Sequence, residues 1–157
     1  MIYKVGYVKD VLGNKYLGIK FNETFIEPYL KDMYYDISDN DVFDTFVSNQ
    51  KRRDSDSYHS TIINVMEMQK LFKEKGSDFV NRIEIIQSID IEDITFKGVG
   101  KASRGGNTAY FVVLESPTLD EIRSSLGLEP KDFHVTIGFD KKDVFGVRKN
   151  TVIKKKV

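Results

Sequence analysis

Apolar and polar positions along the chain change period several times, and each change marks a new element. Residues 1–8 alternate, with Tyr3, Val5 and Tyr7 against Ile2, Lys4 and Gly6. Gly13-Asn14 supplies turn chemistry and residues 15–21 read as a strand, so the first stretch is either its hairpin partner or an edge arm. Asn22 or Thr24 can cap a helix over 25–33, where Phe25, Tyr29, Leu30 and Met33 share a face and Pro28 is tolerable near the first turn. From 35 to 57 the chain becomes acidic and polar. Residues 48–57 (SNQKRRDSDS) read as a mobile surface loop, whose Lys51-Arg52-Arg53 run is either solvated or a contact for phosphate.

Further on, 58–65 reads as a strand and 66–79 as a helix with Met66, Leu71, Phe72 and Phe79 as apolar points, the methionines serving as core filler. Residues 83–91 are apolar without a clear period. Strands over 94–102 and 108–114 are joined by Ser103-Arg104-Gly105-Gly106-Asn107, a strong hairpin signal. Ser116-Pro117-Thr118 starts a helix with Leu119, Ile122 and Leu126 inside and Gly127 as its stop. Residues 133–139 form the last strand, and a polar tail ending in Lys154-Lys155-Lys156 is expected to fray.

The order strand, helix, strand thus occurs twice, at 15–65 and at 108–139. It predicts a single domain over 1–157 with two pseudo-symmetric lobes, roughly 15–65 and 94–140 by their core elements. The final strand of each lobe would face the other across a cleft. Composition narrows the class. A chain of 157 residues, 40% hydrophobic and 31% charged, fits one soluble globular domain. Lys+Arg and Asp+Glu both number 24, which argues against a general nucleic-acid coat and leaves only a local basic groove. No cysteine is present, which removes disulfides and thiolate metal sites. Neither a secretory pattern nor an apolar run of membrane-spanning length is visible, so the expected address is the cytoplasm.

Those two final strands carry both histidines of the chain, in Tyr58-His59-Ser60-Thr61-Ile62 and Phe133-His134-Val135-Thr136-Ile137. Each has Thr two places on. Thr occupies about one position in twenty, so the double coincidence runs at roughly one in four hundred by chance. On a strand, residues i and i+2 share a side, which places His59 with Thr61 and His134 with Thr136. In the second motif Phe133, Val135, Ile137 and Phe139 form an unbroken apolar face. His134, Thr136 and Gly138 then turn outward, with Gly138 leaving space beside the pair. Either motif alone is an ordinary surface His on a strand; two in parallel settings are better explained by function.

Imidazole can take a proton from a nucleophile or give one to a leaving oxygen, and a Thr hydroxyl can donate to a phosphoryl oxygen. Two such pairs suit one phosphodiester, with one His as base and the other as acid, in either order. Zinc fits badly, because no Cys and no acidic neighbour completes a ligand set.

Paired His-x-Thr strands about 75 residues apart, each after a strand–helix unit, resemble the two-histidine (LigT-like) phosphoesterase superfamily. His59, Thr61, His134 and Thr136 carry the likeness, over residues 15–139. The stretch from Phe133 to Phe139, with Asp143-Val144-Phe145-Gly146-Val147 beyond it, is similar to the Swiss-army-knife RNA-repair-like branch, in which His often stands where Phe145 does here. The opening strand 16–21, with its polar cap and helix, is similar to phage anti-defence members that degrade cyclic oligonucleotides.

The resemblance implies a bilobal α+β fold, with antiparallel sheets and outer helices around a central cleft. It also implies cleavage of a phosphodiester beside a ribose 2′-hydroxyl with no metal or cofactor. The substrate would be a 2′,3′-cyclic phosphate RNA end, a cyclic nucleotide or a cyclic oligonucleotide, with no membrane and no obligate protein partner. Tyr16 and Tyr110 are candidates for base stacking and Lys101 and Arg104 for further phosphates, against plain packing and a solvated turn. Two alternatives use the same residues: a non-catalytic module that holds a nucleotide or RNA end, and a 2′–5′ RNA ligase.

Overall fold

The fold comes from a computed structural model that describes residues 1–153. It is α+β. The elements in order are β1 (Gly6–Lys9), β2 (Lys15–Phe21), α1 (Glu23–Ile37), α2 (Asn40–Asp54), β3 (Tyr58–Ile63), α3 (Val65–Lys75), α4 (Ser77–Ser88), β4 (Thr95–Arg104), β5 (Asn107–Glu115), α5 (Pro117–Ser125) and β6 (His134–Phe139). The antiparallel sheet takes its strands in the order β1-β2-β3-β6-β5-β4. One compact unit comprises Met1–Ile19, Thr61–Ile94 and Ser116–Lys131; the other comprises Lys20–Ser60, Thr95–Glu115 and the chain from Asp132 onward. Each unit draws on both halves of the sequence.

In the first unit β1 and β2 pair from Gly6–Gly18 to Lys9–Lys15, which decides for the hairpin. The Asp10 carboxylate holds its turn by accepting the N–H groups of Leu12 and Asn14, each at 2.9 Å. The helix expected over 66–79 is two helices. Asn64 and Glu67 form a capping box at the start of α3, and Gly76, at φ +54°, separates α3 from α4. The aperiodic stretch 83–91 supplies the second half of α4, whose buried stripe is Phe79, Ile83 and Ile86. Exposed Val80 and Ile85 blur that spacing in the sequence. Met68 is core, whereas Met66 is 79% exposed and fills nothing. Ser116 caps α5, and the Asp93 carboxylate anchors the same turn through Ser116 and Thr118.

In the second unit Asn22 caps α1, which runs past 33 to Ile37. The stretch 48–57 is no mobile loop, because most of it is the second half of α2. Asp39 caps this helix, and Phe43, Phe46, Val47 and Gln50 fall on one face at i, i+3, i+4 and i+7. That face ends in a polar residue: Gln50 is fully buried and donates to Asp54 and to the Ser57 carbonyl at 3.0 Å.

The segment after β6 has no regular structure but lies against the strands. Val144, Asp143 and Lys149 are buried, and the Ile153 N–H donates to the Val99 carbonyl at 2.8 Å. The lysines at 154–156 lie outside the described residues.

Strand β6 departs from simple alternation. Tyr110 pairs with Gly138 and Phe111 with Thr136, so Ile137 is one extra residue on β6, a β-bulge. Beyond the bulge the faces exchange. Phe139 joins Phe111, Val113, Ala109 and Val144 in one apolar cluster, on the face that holds Thr136. Gly138 goes to the opposite face, where a Cβ would lie 2.9 Å from Met33 Sδ and 3.2 Å from Phe46 Cβ. The expected space beside the His-Thr pair is therefore absent: Gly138 is where α1 and α2 approach the strand. Gly138→Ala should cost about 1–3 kcal/mol by overpacking, read as a lower urea midpoint.

Candidate active site

The two motif strands are hydrogen-bonded neighbours, not opposite walls. Ser60 of β3 pairs antiparallel with Val135 of β6, and both are fully buried. One step outward, the antiparallel register sets His59 across from Thr136, on the face opposite Ser60 and Val135. His134 lies on that same face, diagonal to His59. Burial along β3 alternates as this requires, with Tyr58 and Ser60 buried and His59 and Thr61 half-exposed. Thr61 belongs to the first unit; His59, His134 and Thr136 belong to the second.

His134 is oriented by its own approach segment. Its Nδ1 lies 2.8 Å from the Asp132 carbonyl oxygen, which can only accept, so Nδ1 carries the proton. Nε2 is then the ring atom left for proton transfer. Phe111 meets the imidazole edge-on at 5.7 Å. The Asp132 carboxylate accepts from Arg148 Nε at 2.7 Å and from the Lys149 N–H at 3.0 Å, which ties the segment after β6 to the residue before the motif strand. The Arg148 hydrogen bond leads in holding this carboxyl below the usual aspartate range.

Thr136 is 6% exposed and donates its hydroxyl proton to Asp143 Oδ2 at 2.9 Å. That proton is thus engaged within the protein, not presented to a phosphoryl oxygen. Asp143 Oδ2 also accepts from Arg53 Nη1, while Asp143 Oδ1 accepts the Val144 N–H at 2.8 Å. Arg53, in the last turn of α2, grips Asp54 through Nε and Nη2, each at 2.8 Å, and lies over the Phe139 ring at 5.1 Å. Burial pushes the Asp143 carboxyl upward, but the Arg53 charge and hydrogen bond and the Thr136 hydroxyl outweigh it and hold the group ionised. Burial opposes the Arg53 charge too, and its two carboxylates more than compensate.

Burial also dominates at His59 and lowers its pKa below the ordinary 6.5. Asp54 and Asp143 pull it upward, while Arg53 and Lys20 push it further down. His59 is therefore a neutral imidazole at pH 7. Lys149, 7% exposed, has its pKa lowered by burial against the pull of Asp143 and Asp132.

Of the substrate contacts expected from sequence, Tyr16 is a buried member of β2 in the first unit. Tyr110 is 2% exposed, with its hydroxyl donating to Asp36, Phe46 edge-on at 5.8 Å and Lys101 Nζ at 5.4 Å over its ring. It offers no open face for stacking. Lys101 pairs with Asp36 at 3.2 Å, and Arg104 donates to the Phe145 carbonyl at 2.9 Å. Asp143, Lys149 and Asp132 are absent from the sequence-based site. Asp143 and Lys149 sit in a tail that reads as merely polar, and only their burial gives them away. Among the described residues no group of three His, Cys, Asp or Glu side chains could hold a metal ion, and no helix is long and apolar enough to cross a membrane.

No curated protein and no solved structure matches the chain. A family model described as "Swiss Army Knife, 2H phosphoesterase domain" matches residues 29–145, which takes in both histidines, Thr61, Thr136 and Asp143. Two histidines on neighbouring strands, one neutral and one oriented through Nδ1, sit inside that match. The chain belongs to the Swiss Army Knife branch of the 2H phosphoesterases.

Proposed function

We propose that this phosphoesterase is a metal-independent phosphodiesterase that cleaves beside a ribose 2′-hydroxyl, with His59 as general base and His134 as general acid. The carrying observation is the Ser60–Val135 pair, which sets both imidazoles on one face of adjoining strands. Diagonal cross-strand neighbours stand about 7–8 Å apart, a span that admits one phosphoryl group between two rings. His59, held neutral by burial, is ready to accept a proton. His134, with its Nδ1–H fixed on the Asp132 carbonyl, presents Nε2 as the atom that gives the proton in this reading.

With a 2′,3′-cyclic phosphate, His59 takes a proton from water as its oxygen bonds to phosphorus. The bond from phosphorus to one ribose oxygen breaks, and His134 Nε2 gives that oxygen its proton. With a 3′–5′ linkage the ribose 2′-hydroxyl replaces water and the 5′-oxygen leaves. RNA ends with a cyclic phosphate and cyclic oligonucleotides both present this group.

Incubation with 2′,3′-cyclic nucleotides, cyclic-phosphate RNA ends and cyclic di- and trinucleotides, followed by chromatography, tests the reading. Turnover of at least one class is expected, unchanged by EDTA. Tight binding without product across the panel would make the domain a binding module, and a strict metal requirement would remove the two-histidine mechanism.

A further inference from the structure

Arg53 lies within the Lys51-Arg52-Arg53 run, and its surroundings set it apart from a solvated charge. The guanidinium has five N–H donors. Three are used, Nε and Nη2 on Asp54 and Nη1 on Asp143, which leaves one on each Nη. The Asp143 side chain is buried at 7% exposure and that of Asp54 keeps 9%, while the Arg53 side chain keeps 30%. Desolvating two carboxylates costs several kcal/mol per ion unless a cation answers them. Here they fix the direction of the guanidinium, whose side chain still reaches solvent. Phe139 backs it from below, a position that the bulge at Ile137 creates.

Its neighbours are the motif residues themselves. Asp143 Oδ2 receives both Arg53 Nη1 and the Thr136 hydroxyl, and the Arg53 charge reaches His59. With its proton committed to Asp143, Thr136 is badly placed to donate to a substrate. A guanidinium with two parallel N–H groups suits two phosphoryl oxygens, and lysine, a single point of charge, cannot reproduce that fork.

We infer that Arg53 is the phosphate-holding residue of this site: its two remaining Nη N–H groups take non-bridging oxygens of the phosphoryl group placed between His59 and His134. Thr136 acts through Asp143 as a positioning residue that sets where the guanidinium points. The inference rests on the reading of this face as the phosphoesterase centre.

Two measurements test it. Adenosine 3′-monophosphate and inorganic phosphate are titrated into wild type, Arg53→Lys and Arg53→Gln by calorimetry, with the thermal midpoint of each variant recorded. A fall in affinity of about 10- to 100-fold is expected in folded Arg53→Lys, which keeps the charge but loses the fork. Should both variants fail to fold, the wild type suffices: its Arg53 Nη resonances should shift on phosphate titration. Unchanged affinity in a folded variant, absent binding by wild type, or unmoved Arg53 resonances would each overturn the inference. Turnover of the substrate panel by wild type decides the phosphodiesterase reading separately. Phosphate held by Arg53 without turnover leaves this inference standing and that reading lost; turnover indifferent to Arg53 does the reverse.

Discussion

Replacing His134 with alanine should lower kcat/KM by about 10²–10⁴-fold on an ordinary nucleotide leaving group, the range that a placed acid or base supplies. Replacing His59 should cost as much, and the two losses should part company when the leaving group changes. A p-nitrophenyl ester of a nucleoside phosphate departs without a proton, so it should restore much of the rate of His134→Ala and none of that of His59→Ala. Equal rescue of both would reverse or dissolve the assignment. Both variants should fold, since His59 and His134 are only half-buried. The pH profile carries a second sign. Protonated His59 cannot act as base, and burial lowers its pKa below 6.5, so the rising limb of kcat/KM should lie on the acid side of that value. A rising limb above pH 7 would contradict a neutral, buried base.

Glu67→Ala should cost about 3–5 kcal/mol of stability, because it leaves a buried guanidinium without its counter-charge. The Arg123 side chain is 4% exposed and makes a bidentate pair with Glu67 at 2.9 and 2.7 Å; it also donates to the carbonyls of Ile62 and Glu129. The same glutamate closes the capping box of α3 by accepting the Asn64 N–H at 3.0 Å. Urea denaturation measures the loss, and a change under 1 kcal/mol would show the cluster to be weakly coupled to folding. The pH dependence follows from Glu67 itself. Burial raises its pKa, but the Arg123 hydrogen bond, the Asn64 N–H and the Arg123 charge prevail and lower it below 4.5. The stabilisation is therefore complete above the unfolded value and fades as pH falls through the folded one. Between pH 7 and 3, wild type should lose more stability than Glu67→Gln, which has no charge to titrate.

The parts of this fold visible in the sequence are those where one residue type has one physical use. Gly105-Gly106 between alternating strands means a hairpin, Ser116-Pro117 means a helix start, and His-x-Thr on a strand means two polar groups on one side. The missed parts use polar residues as interior. Helix α2 hides because its face closes with Gln50, Arg53 and Asp54, three residues that read as solvent-exposed until their partners are known. The segment after β6 hides for the same reason, since buried Asp143 and Lys149 look like tail residues. Register is the other gap. Alternation over 133–139 is unbroken on paper, and only the pairing with β5 exposes the extra residue at Ile137.

That extra residue makes the pairing of β6 as informative as its composition. A strand of the same sequence paired with β5 without the bulge would alternate straight through Ile137, and would point its glycine at Arg53 and its phenylalanine at Met33 and Phe46. Both the guanidinium's backing and the helix contact would then be lost together. Where a strand of this length pairs without the bulge, neighbouring positions trade places between chemistry and packing, and a glycine at 138 or a phenylalanine at 139 no longer signifies the same role.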